Sequence, residues 1–170
     1  GAKCMYKHVT SVDFSSSPFK IFVQEEEYLA ESIIISTGAS AKMLGLEAEK
    51  ELMGYGVSTC ATCDGYFFKD KEIVVIGGGD SAMEEASFLT KFASKVTLVH
   101  RREEFRASRI MIDRALENPK IDIVKNAVVT DILGSQKDGV SGIILKDTID
   151  GKERNFECEG VFYGIGHKPN

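Results

Sequence analysis

The run Glu72–Ala86, EIVVIGGGDSAMEEA, constrains the fold more than any other stretch of the chain. Ile73, Val74, Val75 and Ile76 are consecutive, apolar and β-branched, which predicts a short strand buried on both faces. Gly77-Gly78-Gly79-Asp80-Ser81-Ala82 then follows as G-x-G-x-x-A, and Ala82, Ala86 and Leu89 recur at helical spacing, so a helix is expected from Asp80 onward. Each small residue has a task in that geometry: the first glycine for the tight turn, the second for close approach of a pyrophosphate, Ala82 for close packing of helix on strand. The helix N-terminus offers free N–H groups and positive dipole to phosphates. A glycine-rich turn alone is common; a strand before it, a helix after it and a second strand at the expected distance make it specific.

That second strand is expected at Val96–Val99, and the residues after it select the dinucleotide. An NAD site places Asp or Glu about twenty residues past the glycines, to accept from the ribose 2′-hydroxyl. Here the strand ends in His100-Arg101-Arg102, with Phe105-Arg106 shortly after. A carboxylate there would repel a 2′-phosphate, whereas guanidinium forks bind one through charge-assisted hydrogen bonds. NADPH is therefore expected over NADH, with Glu103 and Glu104 as solvated acids at the start of a helix.

The 170 residues suffice for one good core, or one domain with an attached piece. Net charge is −5 and the basic cluster Arg101–Arg109 is short, which argues against nucleic acid as a partner. No apolar stretch approaches a membrane span and no signal peptide is visible, although the chain starts abruptly at Gly1-Ala2-Lys3. Four cysteines with one close pair do not make a secreted disulfide framework, so a reducing, cytoplasmic setting is expected.

Residues 1–36 are expected to be strands: Val9–Phe14, Phe19–Val23 and a fully buried Ser32–Ser36, with turns at Ser15–Pro18 and Glu25–Glu27. Glu47–Leu52 suits a turn or two of helix, and Gly54-Tyr55-Gly56 a bend. Ser108–Leu116 is expected as a helix with Ile110, Met111, Ala115 and Leu116 on its apolar side, then a third strand at Ile121–Val124. Ala127–Leu133 and Val140–Leu145 form an antiparallel hairpin, followed by a short strand near Asn155–Glu157. Gly160–Gly166 is the last strand, after which His167–Asn170 leaves the sheet. The fold class is α/β: a Rossmann-like dinucleotide-binding domain, parallel sheet plus antiparallel meander, over about 44–166.

Cys60-Ala61-Thr62-Cys63 is the one reactive-looking constellation. Its spacing suits a redox disulfide or half a zinc site, or two packed, inert thiols. A structural zinc takes four ligands, yet Cys4 and Cys158 are isolated and His8, His100 and His167 show no paired spacing, which favours the redox pair over a metal. Asp64 stands beside Cys63, where it suits either proton transfer during thiol–disulfide exchange or a turn before Gly65. Nicotinamide transfers hydride and a disulfide is a poor direct acceptor, so a flavin is implied between them.

Taken together, Cys60–Gly65, Gly77–Ala82 with Glu84-Glu85-Ala86, and His100–Arg106 closely resemble low-molecular-weight thioredoxin reductase. Ser36-Thr37-Gly38-Ala39 resembles that family's return from its FAD domain, and Gly164–Asn170 its exit back into it. The resemblance runs end to end, with Asp80-Ser81 where Asn-Thr or Asn-Ser is common and Thr59 where Ala is common. It implies an NADPH domain inserted into a discontinuous FAD domain: residues 1–43 as remnant strands of the first FAD-domain half, 44–166 as the NADPH domain, and 167–170 leading into the second half. It implies FAD in a homodimeric parent, thioredoxin as partner, and a piece that binds NADPH without retaining FAD. By the same resemblance Cys63 faces the flavin, Cys60 attacks thioredoxin and Asp64 is the general acid. Gly77, Gly78, Gly79, Asp80, Ser81, Ala82, His100, Arg101, Arg102 and Arg106 hold the nucleotide, Glu84 lies near the nicotinamide, and Thr37 and Gly38 belong to the cofactor-binding set. Arg106 alternatively meets thioredoxin. The domain is expected to rotate about connectors near Gly38–Gly45 and Gly164–His167. Two other readings remain open: the flavoprotein subunit of alkyl hydroperoxide reductase, and a non-catalytic NADPH-binding redox sensor.

Overall fold

The computed structural model describes all 170 residues, which divide into two compact units, Gly1–Gly38 and Ala39–Asn170. The first unit holds an antiparallel sheet of β1 (Ser11–Asp13), β2 (Phe19–Val23) and β3 (Glu26–Ala30), in that order. The β2–β3 reversal is tighter than the sequence suggests. It turns on Gln24 at φ 58°, so Glu26 and Glu27 belong to β3 and not to the turn. Lys7 at 2.7 Å and the Tyr28 hydroxyl engage Glu26 there. The expected buried strand at Ser32–Ser36 does not form: Ile34 is 92% and Ile35 70% exposed. None of the three strands pairs with this run, and an apolar, β-branched segment becomes a strand only where a neighbour takes its backbone groups.

The second unit opens with β4 (Ala39–Ala41), α1 (Glu47–Leu52), β5 (Val57–Ser58) and α2 (Ala61–Asp64), the last running into a 3-10 turn at Gly65–Phe68. Then come β6 (Glu72–Gly77), α3 (Asp80–Leu89), β7 (Lys95–Val99), α4 (Arg109–Leu116) and β8 (Ile121–Val124). The meander β9 (Ala127–Ser135), β10 (Gly139–Asp147) and β11 (Glu153–Glu157) precedes β12 (Gly160–Gly164) and β13 (His167–Pro169). Strands β5, β12, β6, β7 and β8 form one parallel sheet in that order. No helix is long and apolar enough to cross a membrane.

Period-two alternation explains why the central strands are apolar throughout. Ile73 and Val75 of β6, Val96 and Leu98 of β7 and Phe162 of β12 pack with Ala82, Met83, Ala86 and Leu89 of α3. Val74, Ile76, Val99, Val161 and Tyr163 point the other way and pack with Ile132 and Ile143 of the meander. Each fully buried aliphatic side chain contributes about 1.5–3 kcal/mol. Helix α4 buries a different stripe from the one expected: Met111, Ile112 and Ala115 face the core, while Ile110 and Leu116 lie outside that arc and are exposed.

The last residues leave the parallel sheet as expected, but they pair again. Strand β13 runs antiparallel to β4, with His167 opposite Ala41 and Pro169 opposite Ala39. Next to this ribbon sits a carboxylate that the sequence did not single out. Glu49, 3% exposed, accepts from the backbone amides of Leu44 (2.8 Å), Gly45 (2.9 Å) and Leu46 (3.0 Å) and from the Tyr163 hydroxyl (2.6 Å). As the third residue of α1 it reaches back over the helix start, and it ties the incoming segment to the outgoing strand.

Candidate functional site

Three motifs leave the parallel sheet at the carboxyl ends of its strands. The glycine turn follows β6, the arginine loop follows β7, and the cysteine pair follows β5. In open parallel sheets this edge is where ligands bind, because helix N-termini and loops converge there. All three motifs therefore belong to one body, the unit Ala39–Asn170.

At the glycine turn, a Cβ on Gly77 would lie 2.5 Å from the Gly164 carbonyl oxygen and 2.6 Å from Ala82 Cβ. A Cβ on Gly164 would lie 2.7 Å from Ala82 Cα, so α3 packs close over β6 and β12 only because all three residues are small. Gly78 sits on the His100 ring, where a Cβ would approach Nδ1 to 2.2 Å. Gly79 differs: its Cβ direction opens onto empty space, which leaves room for a phosphate at the start of α3. Ser81 and Glu84 are exposed on α3. Asp80 is committed elsewhere, since its Oδ1 accepts from the backbone amide of Ser108 at 2.7 Å and from its hydroxyl at 2.9 Å.

His100 is 6% exposed, its Nε2 lies 3.0 Å from the Glu104 carbonyl, and its ring centroid is 5.0 Å from that of Phe105. It supports the turn from below. The Gly78 carbonyl accepts the amides of Arg106 (2.8 Å) and Ala107 (3.1 Å), which fastens the arginine loop to the glycine turn. The side chains of Arg101, Arg102 and Arg106 are exposed and form no ion pair. Glu103 is not the helix-start acid expected, because 101–107 is an irregular loop and α4 begins at Arg109. Its carboxylate takes Lys125 Nζ at 3.0 Å and Asn126 Nδ2 at 2.8 Å, contacts that hold its pKa below the usual value.

Cys60 and Cys63 form a disulfide with Cα atoms 5.3 Å apart, which decides among the readings that spacing alone left open. Cys60 caps α2, and its Sγ accepts the Cys63 amide at 3.2 Å. Cys63 is exposed and Cys60 half-buried. Buried Ser58, at the end of β5, donates to Asp64 Oδ2 at 2.7 Å and accepts the Cys60 amide at 3.0 Å. Helix α2 and its 3-10 extension rest on α3: Ala61 shares the core of Ala82 and Ala86, and Gly65 abuts Leu89 and Phe92. A cleft of about 290 Å³ reaches Ser58 and Asp64 from the side of Tyr55, Phe67 and Lys71. The other cysteines differ: Cys4 is exposed, whereas burial pushes the Cys158 thiol up to about 12 and makes it inert.

Thr37 and Gly38 fall in the first unit, exposed in an irregular segment, with Gly38 at φ 75°. Sequence reasoning passed over Ser58, Glu49 and the partners of Glu103. The only local signal among them is the position of Glu49 at the third residue of a helix.

The family model for pyridine nucleotide-disulphide oxidoreductase matches residues 1–170. The chain is 51% identical over 172 residues to the thioredoxin reductase of Rickettsia felis, covering 100% of this chain and 56% of that protein. It is 51% identical over 161 residues to the thioredoxin reductase of Mycolicibacterium smegmatis, covering 95% of this chain and 51% of that one. The solved structure of thioredoxin reductase from Giardia duodenalis superposes with a TM-score of 0.88 at 42% identity, covering 100% of this chain and 55% of that chain. The chain thus spans about half the length of the curated relatives it matches. An α/β sheet of this order, a glycine turn and a disulfide on one edge, and a family match over every residue make the chain a member of the pyridine nucleotide-disulphide oxidoreductase family.

Proposed function

We propose that this chain is the NADPH-binding, disulfide-carrying part of a thioredoxin reductase. The observation that carries the proposal is the shared sheet edge: the glycine turn, the three free guanidinium groups and the disulfide all follow carboxyl ends of strands in one unit. In this reading Gly77–Ala82 and the α3 N-terminus hold the pyrophosphate, and Arg101, Arg102 and Arg106 hold the 2′-phosphate. His100 supports the turn, and exposed Glu84 is left for the nicotinamide end. This chain carries one glycine fingerprint, assigned to NADPH, and Thr37 and Gly38 are the residues assigned to the flavin side. When bound, the flavin supplies a relay for two electrons between nicotinamide and disulfide.

Uptake of two electrons and two protons opens the disulfide to two thiols. Cys63, the exposed sulfur, is the one presented to the flavin, and Asp64 exchanges a proton with the thiol pair. The Cys60 thiolate then attacks the disulfide of thioredoxin, forming a mixed disulfide and releasing one partner thiolate. The Cys63 thiolate displaces the second partner thiolate and restores Cys60–Cys63. The names of the relatives favour thioredoxin over a peroxide-linked role.

Titration of the chain with NADPH and NADH tests the nucleotide assignment. NADPH is expected to bind more than about tenfold tighter, a difference of ~1.4 kcal/mol or more. Equal affinities would remove the role given to the arginines. In the intact protein, Cys63→Ser is expected to abolish thioredoxin reduction while NADPH still reduces the flavin; loss of both steps together would refute the electron route.

A further inference from the structure

The arginine loop is anchored on two sides. On one side the Gly78 carbonyl takes the amides of Arg106 and Ala107, and Asp80 takes Ser108. On the other side Glu103 bridges to Lys125 and Asn126 at the β8–β9 junction, and the Thr148 hydroxyl reaches the Arg101 carbonyl at 3.5 Å. Lys125 also lies 5.4 Å from the Phe105 ring centroid, and Phe105 stacks on His100 beneath the glycine turn. Arg102 lies between the anchored Arg101 and Glu103, and both arginines are exposed and without ion pairs. Three like charges in one short loop repel each other, so an untethered loop would splay them apart.

We propose that Glu103, braced by Lys125 and Asn126, is a positioning residue for dinucleotide selectivity that holds Arg101 and Arg102 in place for a 2′-phosphate. The inference rests on the NADPH assignment above. It also accounts for a carboxylate in an arginine loop, because an acid beside a phosphate site is tolerable when a lysine neutralises it. A glutamate carboxylate is ionised at neutral pH, so the brace is present there.

Simple electrostatics and the brace predict opposite signs. Glu103→Ala removes a negative charge and frees Lys125, so charge alone would tighten NADPH binding. The brace predicts weaker binding, by up to about fivefold, since both partners are exposed. The double variant Glu103→Ala with Lys125→Ala leaves net charge unchanged and isolates positioning. Calorimetric titration of the full chain and both variants with NADPH and NADH, with melting temperatures alongside, decides the matter. Weaker NADPH binding in both variants, NADH affinity unchanged and melting temperature retained is the expected result. Tighter NADPH binding in Glu103→Ala, an unchanged NADPH-to-NADH ratio in the double variant, or equal losses for both nucleotides would overturn the proposal. If the unmodified chain shows no preference for NADPH, the nucleotide assignment itself fails, a result separable from failure of the brace alone.

Discussion

Ser58 donates its hydroxyl hydrogen to Asp64 across 2.7 Å while accepting the backbone amide of Cys60 at 3.0 Å. One buried hydroxyl thus sets both the carboxylate next to the disulfide and the backbone that carries one of its sulfurs. In the intact protein Asp64→Asn keeps the shape but removes the proton acceptor, and should lower thioredoxin turnover on the order of 100-fold. Ser58→Ala leaves the carboxylate present but unoriented and strands a half-buried amide, costing about 1 kcal/mol of stability with a smaller loss of rate. Steady-state turnover and denaturant melts separate the two; full activity in Asp64→Asn would remove Asp64 from the proton path.

Adjacent glycines should behave oppositely. Gly78→Ala drives a methyl to 2.2 Å from His100 Nδ1, on a ring that is itself buried, and should cost about 1–3 kcal/mol. Gly79 has φ −101° and open space beyond it, so alanine fits without strain and stability should change by less than about 0.5 kcal/mol. If a pyrophosphate approaches that open side, Gly79→Ala still weakens nucleotide binding about tenfold, or ~1.4 kcal/mol. Thermal melts paired with NADPH titration check both halves, and undiminished affinity in Gly79→Ala would place the phosphates elsewhere.

Glu85 carries a buried Oε2 with no hydrogen-bond partner, and burial, reinforced by neighbouring Glu84, raises its carboxyl from 4.5 to about 7. Below about 4.5 folded and unfolded chains are both protonated and the group is neutral to stability. Between 4.5 and 7 the unfolded chain ionises first, so stability falls as pH rises, by about 1–2 kcal/mol once solvent screening of this half-buried group is allowed for. Glu85→Gln removes that slope. The variant should be more stable than the parent at pH 8 and nearly equal at pH 4; urea denaturation at both values checks this, and an equal gain at both would point away from ionisation.

The strand, glycine turn and helix at residues 72–89 were legible because their signals are local: a β-branched run, fixed glycine spacing and helical recurrence of alanine. Ile33–Ile35 has the same apolar character, yet it forms no strand, because a strand also needs a partner for its backbone. The cysteine pair could be read as redox-active from two-residue spacing, but its orientation depends on Ser58, which lies across a strand-to-helix turn from Asp64 and leaves no periodic trace. Asp80 and Ser108 are 28 residues apart and Glu103 and Lys125 are 22 apart, distances at which no sequence pattern announces a contact. Glu49 was hidden for a different reason: an acid in a charged helix is expected to be solvated, whereas this one is buried and satisfies four donors.

Strands β4 and β13 place Ala39 and Pro169 side by side, with Ser40 bonded to Asn170 at 3.0 Å. A body whose doorway in is also its doorway out can be spliced into a surface loop of a host without stretching that host. Such a graft imposes a single two-stranded stalk and leaves the host's own architecture uncut, so guest and host are free to diversify in sequence independently of each other.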